Sequence, residues 1–279
     1  MNRLAVYGWD EEEPRLLDAL QRDAAFTVAA IGDRRPAALV RARTATGTAC
    51  YQHAIEMFRH NRFDAALLAT ADGASQAAQA AAAGGAALLL AGEQADGLAI
   101  VEAAEAALRS HVPFAVLRPR LQQAGLAFIA SLAASDPGWR PRFLDLTLAA
   151  TAGATALMRD AVALGNRLMQ TAPASVAGSA LGDDEADGCT TATAELRYAG
   201  ERLASMRART AASERLTLFA ECAQGDLELQ SADGTATITM TLRDGRRETS
   251  RLTDHDVFAL EAKRAVHVMA GDGARSASA

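Results

Sequence analysis

The first 118 residues alternate short apolar runs with helical segments, and few folds accept that order. Leu4-Ala5-Val6-Tyr7 ends at Gly8, and the stretch from Pro14 to Arg22 carries Leu16, Leu17 and Leu20 on one helical face. Phe26 to Ile31 reads as a second strand, stopped by Gly32-Asp33. Asp64 to Thr70, Ala86 to Ala91 and Pro113 to Leu117 read as three more. Helical spacing fills the intervals Pro36 to Ala45, Ala54 to Asn61, Ser75 to Ala83 and Ala95 to Ser110. Strands apolar along their whole length are buried on both faces, which predicts a parallel sheet covered by helices on each side. Right-handed crossovers make it a Rossmann-like, doubly wound sheet.

The pattern changes after Arg120. Gln122 to Ala134 and Gly153 to Met169 read as helices that flank a strand, Arg142 to Ala150. Short strands then follow: Ala174 to Ala180, Cys189 to Tyr198, Arg202 to Thr210, Arg215 to Glu221, Asp226 to Gln230, Thr235 to Arg243 and Arg246 to Leu252. Ala199-Gly200-Glu201, Ala232-Asp233-Gly234 and Asp244-Gly245 are turn signals between them. Ile238, Met240 and Leu242 alternate with polar residues, as a strand with one buried face requires. Thr253 is placed to N-cap a last helix, Asp254 to Met269. The chain therefore reads as α/β: a Rossmann-like, dinucleotide-binding-type domain over 1–120, then an α+β domain with an open, mainly antiparallel sheet over 121–279.

Composition removes several classes of function. A net charge of −6 gives no general attraction for a phosphate backbone, so nucleic acid is not an expected partner. No apolar run approaches the roughly 20 residues that span a bilayer, and the run from Ala77 to Ala91 is split by Gly84-Gly85. No signal-peptide pattern precedes Leu4. Cys50, Cys189 and Cys222 are odd in number and lack a C-x-x-C pair, which predicts free thiols in a reducing, cytoplasmic compartment. Lys263 is the only lysine, and arginine does not release its proton near neutral pH, so lysine acid/base chemistry has almost no candidate.

Particular residues at the joints of this pattern resemble the Gfo/Idh/MocA family of NAD(P)-dependent oxidoreductases, which act on sugars, cyclitols and related polyols. Asp33 follows the second strand where the family's ribose-holding acid stands, and Thr70 ends the segment that looks like its third strand. Gly84 looks like the glycine before its fourth strand, and Gly92-Glu93-Gln94-Ala95 falls where the family carries Glu-Lys-Pro. Arg118 matches an arginine after the fifth strand, and Leu216 to Leu229 looks like the family's strand, turn, glycine and strand. The resemblance implies cofactor contacts at Gly8, Asp33, Arg34, Thr70 and Glu93, with Gln94 and Asp160 as the weak catalytic candidates.

Three departures bear on chemistry. A dinucleotide turn needs glycines so that backbone amides approach the pyrophosphate at a helix N-terminus. Here Gly8 is followed by Trp9-Asp10-Glu11-Glu12-Glu13, and like charges at about 4 Å cost roughly 1–4 kcal/mol. Those acids also suit a helix N-terminus with no ligand at all. Gln94 stands at the family's lysine and has no ionisable proton to relay. Ala149 to Met158 is a short connection without the family's histidine, and Ser75 replaces another; Asp160 keeps the aspartate of the following helix. On this basis the expected protein is a pseudoenzyme, a non-catalytic binding, scaffold or partner subunit with no cofactor. The alternative is an NAD- or NADP-dependent oxidoreductase acting on a sugar- or polyol-like molecule through an unusual site.

Other constellations are weaker. Asp254-His255-Asp256 offers metal ligands, but neighbouring helix residues diverge, so no metal is expected. His53 and His60 lack a completing ligand, and Gly182 to Gly188 reads as a surface loop. Arg34-Arg35 suits either a 2′-phosphate or a solvated turn. Arg118-Pro119-Arg120 and Arg140-Pro141-Arg142 suit either an anionic site or plain salt bridges, and Cys222 reads as a buried inert thiol. The open sheet predicts a homodimer or a heteromeric protein partner, and a small-molecule ligand is placed in the interdomain cleft.

Overall fold

Both faces of β1 (Asn2–Tyr7) are buried, and this sets the layout of the N-terminal sheet. The computed structural model describes residues 2–9, 14–24, 26–70, 72–91, 97–182 and 189–270. They form two compact units: Met1–Pro119 together with Phe258–Ala279, and Arg120–Val257. In the first unit β1 is followed by α1 (Pro14–Asp23), β2 (Phe26–Gly32), α2 (Pro36–Thr46), β3 (Cys50–Tyr51) and α3 (Ala54–His60). Then come β4 (Ala65–Leu68), α4 (Ala74–Ala83), β5 (Ala87–Ala91), α5 (Gly97–Ser110) and β6 (Phe114–Leu117).

All neighbouring strands run parallel, in the order β3-β2-β1-β4-β5-β6, so the direction of strand addition reverses between β1 and β4. Leu4 and Val6 of β1 pack with Leu16, Leu20 and Phe26 on one side. Ala5 and Tyr7 pack with Met57, Ala77 and Ala81 on the other. Burying one such large side chain contributes roughly 1.5–3 kcal/mol. Helix α4 presents five fully or nearly buried alanines, small side chains that let its backbone lie close to the sheet. The doubly wound α/β sheet is as the sequence predicts, with one addition. The two-residue strand β3 is too short to show any periodicity, and it sits at the sheet edge on β2.

The second unit holds α6 (Ala124–Ser135), β7 (Pro141–Ala150), α7 (Ala154–Met169), β8 (Ser175–Gly182), β9 (Cys189–Tyr198), β10 (Arg202–Thr210) and β11 (Arg215–Cys222). It ends with β12 (Gly225–Ala232), β13 (Thr235–Leu242) and β14 (Arg247–Thr253). Its sheet has the order β14-β13-β12-β11-β7-β10-β9-β8 and is antiparallel except where β7 runs parallel to β10. Leu144, Leu146 and Leu148 of β7, with Leu216 and Leu218 of β11, join Leu157, Ala161, Leu164 and Leu168 of α7 in one core. The opposite face alternates outward and carries Asp145, Thr217, Phe219 and Arg207.

The end of the chain departs from expectation. Helix α8 (Val257–Met269) starts later than Asp254, and Thr253 is the last residue of β14, not a helix cap. From Phe258 the helix belongs to the first unit, where Phe258, Ala262, Ala265 and Val266 pack with Leu89, Ala115 and Leu117. Among the described residues, no helix is long and apolar enough to cross a membrane.

Candidate functional site

The carboxyl ends of β1, β2 and β4 converge where the strand order reverses, which is where open α/β sheets hold ligands. Gly8 lies at the end of β1 with φ +90°, a conformation that suits glycine. A Cβ added there would stand 2.6 Å from both Cβ and Cγ2 of Thr70, so the two chain segments touch only because Gly8 lacks a side chain. The Gly8 amide donates to the Gly32 carbonyl at 2.8 Å, which ties β1 to β2 just before Asp33.

Asp33 is 3 % exposed and its carboxylate is surrounded by donors. The Trp9 amide and Arg35 Nη2 donate to Oδ2 at 2.8 and 2.9 Å. The Arg35 amide and Arg35 Nε donate to Oδ1 at 2.8 and 3.0 Å. A carboxylate offers about four acceptor positions, and this chain fills them. Burial by itself would raise the Asp33 pKa, but the Arg35 side chain and the two backbone donors outweigh it and hold the group below the usual carboxylate value. The sequence places Asp33 as a ribose acceptor; in the structure its carboxylate is bonded to the Trp9 amide and to Arg35.

Arg34 points elsewhere. Its Nη1 donates to Asp72 Oδ1 at 2.9 Å and its Nη2 to Gln76 Oε1 at 3.4 Å, beside Gly73 at the start of α4. A Cβ on Gly73 would lie 2.9 Å from Arg34 Nε and 2.7 Å from the Tyr7 hydroxyl. Burial raises the Tyr7 pKa, and the charge and hydrogen bond of Arg34 act against it. The side chains of Arg34 and Arg35 remain 48 % and 57 % exposed, so both guanidinium groups meet solvent at the β2 end.

The second unit has a separate polar cluster. Asp160, on α7, has no solvent exposure and accepts from Arg120 Nη1 at 2.9 Å. Arg120 Nε also donates to Glu214 Oε1 at 2.9 Å, and Gln123 Nε2 donates to the same oxygen at 3.0 Å. Gln123 Oε1 is buried with no hydrogen-bond partner. The sequence offers Asp160 as a weak catalytic candidate and Arg120 for either an anionic site or a salt bridge; it does not point to Gln123, which has no motif, or to Glu214, which meets both only through the fold.

Several sequence candidates have structural roles. The Arg118 amide donates to Glu261 Oε1 at 2.7 Å, and Glu261, fully buried on α8, also accepts from Arg264. Asp254 Oδ1 accepts from the Ala124 amide at 2.7 Å and so caps α6, which accounts for that acid without a metal. Among the described residues no group of three or more His, Cys, Asp or Glu is placed to hold a metal ion. The Cys222 thiol donates to the Trp139 carbonyl at 3.3 Å; burial foremost, then Asp226, pushes its pKa up to about 12. Glu93, Gln94 and the acids Asp10 to Glu13 lie outside the described residues.

Solved structures share this architecture end to end. An oxidoreductase from Agrobacterium radiobacter, in complex with NAD+, L-tartaric acid and magnesium, superposes with a TM-score of 0.80 at 15% identity, covering 99% of this chain and 89% of its own. A 3-ketoreductase from Actinomadura kijaniata, in complex with TDP-benzene and NADP, gives 0.77 at 17% identity, covering 99% and 92%. Apo scyllo-inositol dehydrogenase from Lactobacillus casei gives 0.75 at 14% identity, covering 97% and 89%. No protein-family model matches the sequence, and neither does any curated protein. The chain has the fold of the Gfo/Idh/MocA-type oxidoreductases.

The residues present fit part of a dinucleotide. Gly8 approaches Thr70 closely beside the strand reversal, the place where a sheet of this kind takes a dinucleotide. The residues after Trp9, where the sequence reading looks for a pyrophosphate turn, lie outside those described. At the β2 turn Asp33 has no acceptor position left to offer to a hydroxyl pair, while the Arg34 guanidinium meets solvent beside it.

Proposed function

We propose that this chain binds NAD or NADP at the carboxyl ends of β1, β2 and β4 and is an oxidoreductase acting on a sugar- or polyol-like small molecule. The observation that carries the reading is Gly8 pressed against Thr70 at the strand-order reversal. The neighbours named above as complexes with NAD+ and NADP support it. The expectation of a protein with no cofactor finds no support in these comparisons. Such a cofactor, when bound, supplies the hydride chemistry. The protein's part is to seat the adenosine end between Gly8, Thr70 and the β2 turn.

The test is titration of the purified chain with NADH and NADPH, followed by fluorescence. Saturable micromolar binding is expected, and silence with both would overturn the reading. A second reading, a binding or partner subunit without catalysis, is favoured by one observation: Asp160 is wholly buried and bonded to Arg120, a poor arrangement for accepting a substrate proton. Dinucleotide binding without turnover on any of a panel of polyols and sugars would support it.

We also propose a cytoplasmic location, supported by the free thiols Cys50 and Cys222, and a homodimer through the open face of the second sheet. That face mixes Asp145, Glu195, Arg207 and Arg209 around the exposed Phe219, and both signs of charge on one patch suit a self-complementary twofold contact. Sedimentation at twice the chain mass is expected, and a strict monomer would count against it.

A further inference from the structure

We infer that the β2 turn of this chain reads a phosphorylated adenosine ribose, so that Arg34 and Arg35 select NADP(H) over NAD(H). This deepens the dinucleotide reading and rests on it. An acid at the end of β2 favours an unphosphorylated ribose only if its oxygens are open to accept from the ribose hydroxyls. Asp33 does not meet that condition. Its two oxygens take four hydrogen bonds from the chain itself, three of them from Arg35, and the carboxylate is buried. A ribose hydroxyl arriving there finds its acceptors already used. It can gain one only by displacing a hydrogen bond that the chain already makes, which leaves that donor without its acceptor.

The same arrangement suits a phosphate. The ion pair with Arg35 offsets the charge of Asp33, so the acid repels an incoming anion less than an unpaired carboxylate would. Arg34 is held toward solvent by Asp72, whose side chain is 63 % exposed. An exposed pair of that kind contributes little to stability, so exchanging Asp72 for a phosphate oxygen costs little. Arginine suits the role, since its planar fork meets a phosphate with two donors at once. Arg34 is therefore assigned as the direct phosphate reader, and Arg35 as the residue that closes Asp33 to the ribose.

The experiment compares four probes on the full chain by calorimetry: NADPH, NADH, adenosine 2′,5′-bisphosphate and adenosine 5′-phosphate. NADPH is expected to bind at least about tenfold more tightly than NADH, and the bisphosphate more tightly than the monophosphate by a similar factor. Arg34→Ala should lower the affinity of NADPH and of the bisphosphate by about tenfold while sparing NADH and the monophosphate. Arg35→Ala should reopen Asp33 and narrow the gap from the other side, by raising NADH affinity. Should that variant fold poorly, Arg34→Ala decides alone, since Arg34 sits in an exposed pair. NADH binding as tightly as NADPH, or Arg34→Ala weakening all four probes alike, overturns the inference and leaves the dinucleotide reading standing. Preference for the bisphosphate with neither dinucleotide bound defeats that reading and, with it, the selection of NADP(H) over NAD(H). Binding of none of the probes defeats both.

Discussion

Arg35 supplies three of the four hydrogen bonds that fill the carboxylate of Asp33, two residues before it in the chain. The fourth comes from the Trp9 amide, 24 residues earlier, so this one buried acid joins the turn after β1 to the turn after β2.

That relationship sets a pH dependence. Asp33 is held below its ordinary value of 3.8, so its contribution to stability is complete above that value and is lost as pH falls through the lower, folded-state value. Asp33→Asn replaces an acceptor oxygen with an NH2 facing other donors and should cost about 1–3 kcal/mol near pH 7. Urea unfolding between pH 7 and pH 3 checks both points: the difference between wild type and variant should be constant down to about pH 4 and shrink below it. A difference independent of pH would show that the ion pair does not form.

Gly8 provides a purely steric prediction. Gly8→Ala combines a positive φ with a Cβ 2.6 Å from Thr70, and should destabilise the chain by about 2 kcal/mol or more. Thr70→Ala in the same chain removes Cγ2 but leaves its own Cβ at the same distance, so it should restore only part of the loss. Thermal unfolding of the two single variants and the double variant reads this directly, and a neutral Gly8→Ala would mean that the strand ends are less closely joined than described.

How much of this could be read beforehand differs from residue to residue. Leu4 to Tyr7 and Phe26 to Ile31 are legible as buried strands because an unbroken apolar run carries its own signal. Cys50–Tyr51 is invisible, since two residues have no period, and only pairing with Ile31 and Gly32 makes them a strand. The position of Asp33 follows from the strand-glycine-acid pattern. Its bonding does not, because it depends on a side-chain conformation of Arg35 and on an amide far away in the chain. The same reason hides Glu214, which is brought to Gln123 and Arg120 across 91 and 94 residues of sequence. The return of α8 to the first unit is likewise non-local, resting on Glu261 and Arg118 across 143 residues.

The Arg120–Asp160 pair separates structural from functional polarity. Arg120→Ala removes an ion-pair partner from a fully buried carboxylate, a change that typically costs about 3–5 kcal/mol. Replacing both at once, Arg120→Met with Asp160→Leu, should recover most of that stability, because a buried pair is often no better than apolar residues of similar volume. A double variant that is stable but has lost turnover or polyol binding would assign the pair to the reaction. One that keeps both would leave it a packing device of the second unit.

Glu261 holds the last helix in place and makes the final prediction. Its carboxylate has no solvent exposure and accepts from the Arg118 amide and from Arg264, whose Nη2 also donates to the Val116 carbonyl. The bonds from the Arg118 amide to Glu261 and from Arg264 to the Val116 carbonyl thus bind the end of β6 to α8, while Phe258, Ala262 and Ala265 cover part of the first core. Glu261→Ala leaves the Arg118 amide without its side-chain acceptor and should cost about 1–3 kcal/mol. Ending the chain at Asp256 removes the apolar cover as well, so the loss should be larger and should appear in the first unit. Hydrogen exchange locates it: amides of β5 and β6 should lose protection in the truncated chain before those of β7 and β11. Equal loss across both sheets would mean that α8 stabilises the whole chain and not the first unit alone.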